Sequence, residues 1–454
     1  MSSKSRFGPQ MREFSVQTFL AIFARGMTLF AGFFLIAVVT AWLPERETAV
    51  FFLFQSISNA LAVLSCFGLE TYMLKVFSSG ESADNNQRHR VYCSALKVVL
   101  IISVACFVVA VIWSYYRPDN AGLIPAIVYL ATVPFFGILI MSSEALRGLG
   151  HYYRAVTLLG ICPPIVTASL LILVTKYGLA SQITFATSLL MGYFLPGFVA
   201  MFLVFKITSN DRGEYKKCGE SAKVLHIGKA FSYFCTTGIQ QILMFLPVII
   251  AGMLQLSDDF SSYYVALRVS VIASFVLASL NIFVAPMLSY LFGSGKFVEF
   301  EVLTKLVATI AFWSTVVLSV SCFVFGDYVF EILGGSLNEG LSYLLILLFG
   351  HVISSAVGSV VYVLIMSGNE KDVRNLYLVA LILTLIVSPF VIIEFGIFGA
   401  VMVNLIVTVS LNIGAWCAVY YRLRFWILPS INFVKLVNMA RQLPKIRTVQ
   451  QSNV

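Results

Sequence analysis

The chain has 454 residues, of which 59% are hydrophobic and only 11% charged, against roughly 25% charged in an ordinary soluble domain. That balance excludes a water-soluble globular protein and points to an all-α polytopic membrane protein. The formal net charge of +9 would raise nucleic acid as a partner, but the positive residues lie in short runs between apolar segments, so none is expected.

A spanning helix needs about twenty mostly apolar residues, and twelve runs meet that length. In chain order the first six are Phe14–Leu43, Ala49–Phe77, Cys93–Tyr115, Gly122–Leu146, Ala155–Thr175 and Ile183–Phe205. The next six are Ala230–Leu254, Ser261–Phe292, Leu303–Phe325, Leu341–Met366, Leu376–Ile393 and Phe398–Tyr421. The start is polar through Glu13, and no cleavable signal peptide is read there. The eight cysteines form no CxxC pair and the four histidines show no ligand spacing. Neither a disulfide framework nor a metal site is expected.

Lys and Arg set the orientation. With both termini in the cytoplasm, only Arg46, Arg117 and Lys176 fall on the outer side, and nearly all other Lys and Arg fall inside. Two more, Arg25 and Arg268, lie within spans. Trp42, and Trp113 with Tyr115 and Tyr116, mark outer edges; Tyr420 and Tyr421 mark an inner one.

The basic loop Lys206–Lys229 divides the spans six and six. Gly150 after the fourth span matches Gly368 after the tenth at an offset of 218, and Tyr177-Gly178-Leu179 matches Phe395-Gly396-Ile397 at the same offset. Phe77-Ser-Ser-Gly80 matches Phe292-Gly-Ser-Gly295 at 215. These landmarks read as a duplicated six-helix unit of the parallel kind, with a substrate site near the midplane where the halves meet. The expected division is residues 1–205, a first bundle; 206–229, a basic linker; 230–421, a second bundle; and 422–454, a basic tail. Within the tail, Phe425 to Met439 reads as a surface-lying amphipathic helix or as disorder.

Arg25 lies about thirteen residues past Arg12, roughly 20 Å deep. A guanidinium at that depth must face protein or water. Its stripe of Gln17, Ala21, Thr28 and Gly32 is small or polar, so it reads as interior-lining. Arg268 lies in the outer half of the eighth span, one turn after Tyr264. No acid lies at mid-depth; Glu70, Glu144 and Glu394 sit near span ends. The two arginines therefore read as anion-binding groups, with structural ion pairing as the other reading.

Asn59 stands with Gln55, Cys66 and Glu70 on one face of the second span, and Gln240 stands with Gln241 at mid-depth in the seventh. Such amides serve sugar recognition or interhelical hydrogen bonding equally well. Glu144 and Arg147 read as a local pair or gate. His351 reads as a proton carrier or, more simply, as a packing residue.

These residues resemble the O-antigen and polysaccharide flippases (Wzx-like) of the multidrug/oligosaccharidyl-lipid/polysaccharide exporter superfamily. The resemblance rests on Ala24-Arg25-Gly26, Cys66-Phe-Gly-Leu-Glu-Thr-Tyr72 leading into Lys75, and Leu146-Arg-Gly-Leu-Gly150. In the second half it rests on Tyr263-Tyr-Val-Ala-Leu-Arg268 followed by Pro286-Met-Leu288. It implies a V-shaped pair of six-helix bundles around a cationic cavity. The implied substrate is a polyprenyl-pyrophosphate-linked oligosaccharide, turned from the inner to the outer leaflet of the bacterial plasma membrane. Arg25, Arg268, Asn59, Gln240 and Tyr264 would bind it; Glu70, Glu144, Arg147 and His351 would gate or couple. No cofactor is implied beyond a coupling ion, H+ or Na+, and a polysaccharide polymerase is the implied partner.

Two alternatives stand beside this reading. A cation-coupled multidrug exporter of the same superfamily would carry a membrane-embedded acid, and the first span has none. A membrane-embedded glycan polymerase or ligase would need a large outer loop with clustered basic and acidic groups. The longest outer segment, Gly326 to Gly340, holds Asp327, Glu331 and Glu339 and no basic residue.

Overall fold

A computed structural model describes residues 7–78, 85–116, 122–209, 226–255, 258–333 and 337–430, with the side chains of the first helix described from Phe23 onward. Among these residues the secondary structure is helical throughout, without strands. Eleven helices are long and apolar enough to cross a membrane. The last, Glu370–Leu423, has 54 residues, about 80 Å at 1.5 Å per residue and far longer than a hydrocarbon core of about 30 Å. It is two spans. Gly396 has φ 63° and ψ −145°, outside the helical region. The chain folds back there: a Cβ on Gly399 would lie 2.5 Å from the Val391 carbonyl, and one on Gly414 would lie 2.6 Å from Leu376 Cδ1. At the open end of this hairpin, Arg422 Nε donates to Asp372 Oδ2 at 2.6 Å. The twelve expected spans are therefore all present.

Several spans are broken within the apolar run. The second is Glu45–Cys66 followed by Leu69–Ser78, with Phe67 and Gly68 left-handed between them. The tenth is Leu337–Val357 followed by Val360–Met366, with Gly358 at φ +68°. The fourth breaks at Ala131. The fifth and seventh each contain one wider turn, Thr157–Ile161 and Phe234–Gly238, with i→i+5 pairing.

The glycine landmarks of the two halves also share a backbone conformation. After the fourth span, His151 N–H donates to Leu146 O and Gly150 N–H to Arg147 O; after the tenth, Asn369 N–H donates to Leu364 O and Gly368 N–H to Ile365 O. Both are Schellman closures with a left-handed glycine. Gly80 lies outside the described residues.

The backbone forms two compact units, one through Tyr264 and the other from Val265 onward, with Ile332 and Leu333 counted to the first. The seventh span thus packs within the first unit, whereas the sequence division falls in the loop before it. Most of that loop, 210–225, lies outside the described residues, as does the tail from 431. The described start of the tail is not helical. Arg424–Ser430 leaves the last helix through a left-handed Arg424 and runs as a strap. Trp416 Nε1 donates to Ile427 O at 2.7 Å, and Trp426 stacks on Tyr420 at 4.0 Å. Ser430 N–H donates to Thr309 Oγ1 at 3.0 Å. An indole donor and a ring platform hold this described part out of a helix, where composition reads Phe425 to Met439 as an amphipathic helix or as disorder.

Candidate functional site

The second span is the buried centre of the first unit, and its polar face is tied to three neighbours. Tyr264 is 2% exposed; its hydroxyl donates to Gln55 Oε1 at 3.0 Å and its ring stacks on Phe52 at 4.1 Å. Tyr193 of the sixth span donates to Asn59 Oδ1 at 3.3 Å. Cys66 Sγ contacts the Gly137 carbonyl at 3.5 Å. Asn59 and Tyr264, expected to meet substrate, therefore already serve interhelical hydrogen bonds. Tyr193 was not singled out in the sequence; its one signal is a polar-tipped ring inside an otherwise apolar span.

Phe67–Gly68 turns the chain toward the seventh span. A Cβ on Gly68 would lie 2.0 Å from Ala230 O and 2.5 Å from Phe234 N, so only glycine permits this approach. Phe67 stacks on Phe231 and Phe234, both at 5.4 Å. One turn further on, Thr71 and Thr237 hydroxyls pair at 3.4 Å and Lys75 Nζ lies 4.4 Å from the Tyr233 ring centroid.

Arg25 has a different setting. Phe23, Met27, Phe30 and Phe34 form one exposed stripe, and two residues along a helix turn a side chain about 200°, so Arg25 lies on the opposite side. Thr28, one turn on, packs where a Cβ on Gly160 would meet its hydroxyl at 2.5 Å. Arg25 itself is half-buried and forms no hydrogen bond or ion pair among the described residues. Gln17 and Ala21 lie outside the described side chains. Gln240 and Gln241 are both exposed. An exposed amide at mid-depth in a span favours a hydrated surface over lipid.

In the second unit Arg268 is half-buried and engaged by other groups. Two residues on, Ser270 Oγ lies 3.4 Å from His351 Nε2, a contact of the kind a packing histidine makes. Glu144 and Arg147 form the expected local pair: Arg147 Nη1 donates to both carboxylate oxygens, at 2.8 and 3.1 Å. Arg147 also lies 5.6 Å from the Tyr152 ring centroid. Among the described residues no three His, Cys, Asp or Glu side chains converge as metal ligands.

No family model matches the chain, and no curated protein matches it. Solved structures do. An inward-facing multidrug resistance MATE family transporter of the MOP superfamily aligns with a TM-score of 0.65 and 15% identity, covering 91% of this chain and 96% of its own. A MOP superfamily transporter from Pyrococcus furiosus, described by the reverse polarity of its binding pocket, aligns at 0.58 and 13% identity over 90% and 94%. The bent form of the Vibrio cholerae MATE transporter VcmN aligns at 0.57 and 13% over 91% and 98%. The chain is a multi-pass membrane protein with the fold of the MATE transporters.

Proposed function

We propose that the chain is a transporter that moves a polyprenyl-pyrophosphate-linked oligosaccharide, an O-antigen or other surface-polysaccharide repeat unit, from the cytoplasmic to the outer leaflet of the bacterial plasma membrane. Arg25 carries this reading. It stands at mid-depth, turned from the exposed stripe, without a partner among the described residues, in a span that contains no acid. Such a guanidinium matches a pyrophosphate by bidentate hydrogen bonds. Gln240 and Gln241 supply amides suited to sugar hydroxyls. Alternating access moves the head group while the lipid tail stays in the bilayer. Both termini face the cytoplasm by the distribution of Lys and Arg, and a polysaccharide polymerase takes up the delivered unit.

A second reading, a cation-coupled multidrug exporter, draws more from the solved structures, two of which are described as multidrug resistance transporters. Likeness at 15% identity speaks to fold; Arg25 speaks to the charge of the cargo. In cells that make the glycan carrier but lack this gene, the leaflet holding the lipid-linked unit separates the two. Inner-leaflet accumulation, cleared by the wild type and not by a normally expressed Arg25→Ala, supports the flippase. Normal outer-leaflet delivery without the gene or a redundant transporter, together with lost efflux of a cationic dye, gives the exporter.

A further inference from the structure

The strap Arg424–Ser430 lies at a definite depth. It leaves the twelfth span beside the Arg422–Asp372 ion pair and is fixed at two points on the helices of the second unit. Trp416, whose Nε1 donates to Ile427 O at 2.7 Å, stands six residues before Arg422, about 9 Å along the helix. Thr309, which accepts from Ser430 N–H, stands four residues past Lys305 of the Lys305–Glu301 pair, about 6 Å along the ninth span. Trp313 Nε1 lies 3.5 Å from Ser430 O, and Phe425 meets Phe300 edge to face. The strap therefore begins level with the last charged pairs and returns about 6–9 Å toward the apolar part of both helices. In-plane amphipathic segments sit at that depth, about 5–10 Å into the boundary between headgroups and acyl chains.

The two sides of the strap differ. Ile427 is fully buried, whereas Trp426 before it and Leu428 after it are exposed. Tyr420 and Tyr421 of the twelfth span and Trp313 of the ninth are exposed as well. Together they make an apolar patch edged by charge, and such a patch marks a surface that something else covers. Its content of Trp and Tyr is that of a membrane–water interface.

Charge then selects among lipids. Arg422 and Arg424 both lie against Tyr421, 5.9 and 5.8 Å from the ring centroid. Arg422 is bound to Asp372. Arg424 is exposed and forms no ion pair or side-chain hydrogen bond among the described residues. From Phe395 to Val454 the sequence contains no acidic residue and six basic ones, all after Tyr421. A basic cluster of that size directly beyond a span complements anionic lipid.

We propose that the strap is an in-plane anchor for anionic phospholipid, in the leaflet that the distribution of Lys and Arg assigns to the cytoplasm. Trp426 and Leu428 enter the boundary between headgroups and acyl chains, and Arg424 pairs with the lipid phosphate. Because the strap is bonded to the ninth and the twelfth spans, the lipid that holds it fixes both helices at one depth. The anchor is separate from the cargo path and stands whatever the cargo is.

The test uses the purified full-length protein in nanodiscs of phosphatidylcholine and phosphatidylglycerol. Bromine is placed on the acyl chains of one lipid or the other, at equal bromine content, to quench tryptophan emission. The emission of Trp426 is the difference between wild type and Trp426→Phe, which keeps a ring for the stack on Tyr420. We expect Trp426 to be quenched roughly twofold more by brominated phosphatidylglycerol than by brominated phosphatidylcholine. The preference should fall in Arg424→Asn, since asparagine tolerates the left-handed backbone there, and should fall in wild type at high salt. Equal quenching by the two lipids in wild type, or a preference unchanged in Arg424→Asn, overturns the proposal. Quenching by neither lipid also overturns it, and gives this face to a second copy if the protein is dimeric or to another protein if it is not.

Discussion

The second and tenth spans are both broken by a left-handed glycine, and they resolve the break differently. Gly68 presses the second span onto the backbone of the seventh, and Gly358 presses the tenth onto Ala308 of the ninth, where a Cβ would lie 2.7 Å from the Ala308 methyl. A break inside a membrane frees backbone groups that need partners. At Gly358 the next residue, Ser359, donates to Asn281 Oδ1, a neutral bond between neutral groups. At Gly68 the following turn presents Glu70, an ionisable group with a buried oxygen that receives nothing. The tenth span's break is resolved for stability. The second span keeps an ionisable group with an unpartnered oxygen at the same kind of kink, and ionisable groups in membranes mark ion and substrate pathways.

The largest effect should come from removing the first glycine. Gly68→Ala places a methyl against Ala230 O and forces a side chain into φ +78°; we expect a loss of about 3 kcal/mol or more, read as loss of monodisperse protein on size-exclusion chromatography. Gly358→Ala meets a methyl and a Cα at 2.7 and 2.9 Å and should cost less, about 1–3 kcal/mol by thermal unfolding. Equal losses at the two sites would remove the distinction drawn here.

The polar partners sharpen it further. Asn281→Ala should lower stability by about 1–2 kcal/mol, whereas Glu70→Gln, which keeps the shape of a side chain whose Oε2 has no donor, should leave the melting temperature near wild type. Tyr264→Phe keeps the Phe52 stack and loses the bond to Gln55, for which about 0.6 kcal/mol is expected, the average for such bonds in membranes.

The smallest effect belongs to Asp372. Its carboxyl is held below the ordinary carboxylate range by the hydrogen bond from Arg422. A carboxyl with a depressed folded value stabilises above its ordinary pKa of about 4, and loses that contribution as pH falls through the folded value. Asp372→Asn should therefore melt slightly lower than wild type at neutral pH, with the difference vanishing in acid.

What the sequence revealed and what it concealed follow from where polar residues stand. The spans were legible because their apolar runs are long, and the reversal at Gly396 was legible because the two runs end on either side of Phe395-Gly396-Ile397. The breaks at Gly68 and Gly358 were hidden: both sit within apolar stretches, and the reason for each glycine is a neighbour far away in sequence. Glu70 was visible as an acid near a span end. That Arg147 pairs with Glu144 was legible from their i,i+3 spacing; that no donor reaches Glu70 Oε2 was not, because it depends on how neighbouring spans pack. Gln55 and Tyr264 were each visible as polar groups in spans, but their hydrogen bond to one another was not. The strap Arg424–Ser430 was not legible: from composition Phe425 to Met439 reads as a surface-lying amphipathic helix or as disorder, and the partners that hold the described part, Trp416 and Thr309, come from elsewhere in the chain.

The hairpin of the last two spans bears on how the chain enters the bilayer. With Asp372 and Arg422 bonded at one end and a single non-helical glycine at the other, the two helices have no polar loop between them. Glu394 is the one ionisable residue near the tip. During synthesis no hydrophilic stretch follows the eleventh helix at which it could pause alone, so the two helices are expected to leave the insertion machinery together. Lengthening the turn at Gly396 with a glycosylation acceptor would uncouple these steps and report, by the sugar it gains, on which side the turn emerges.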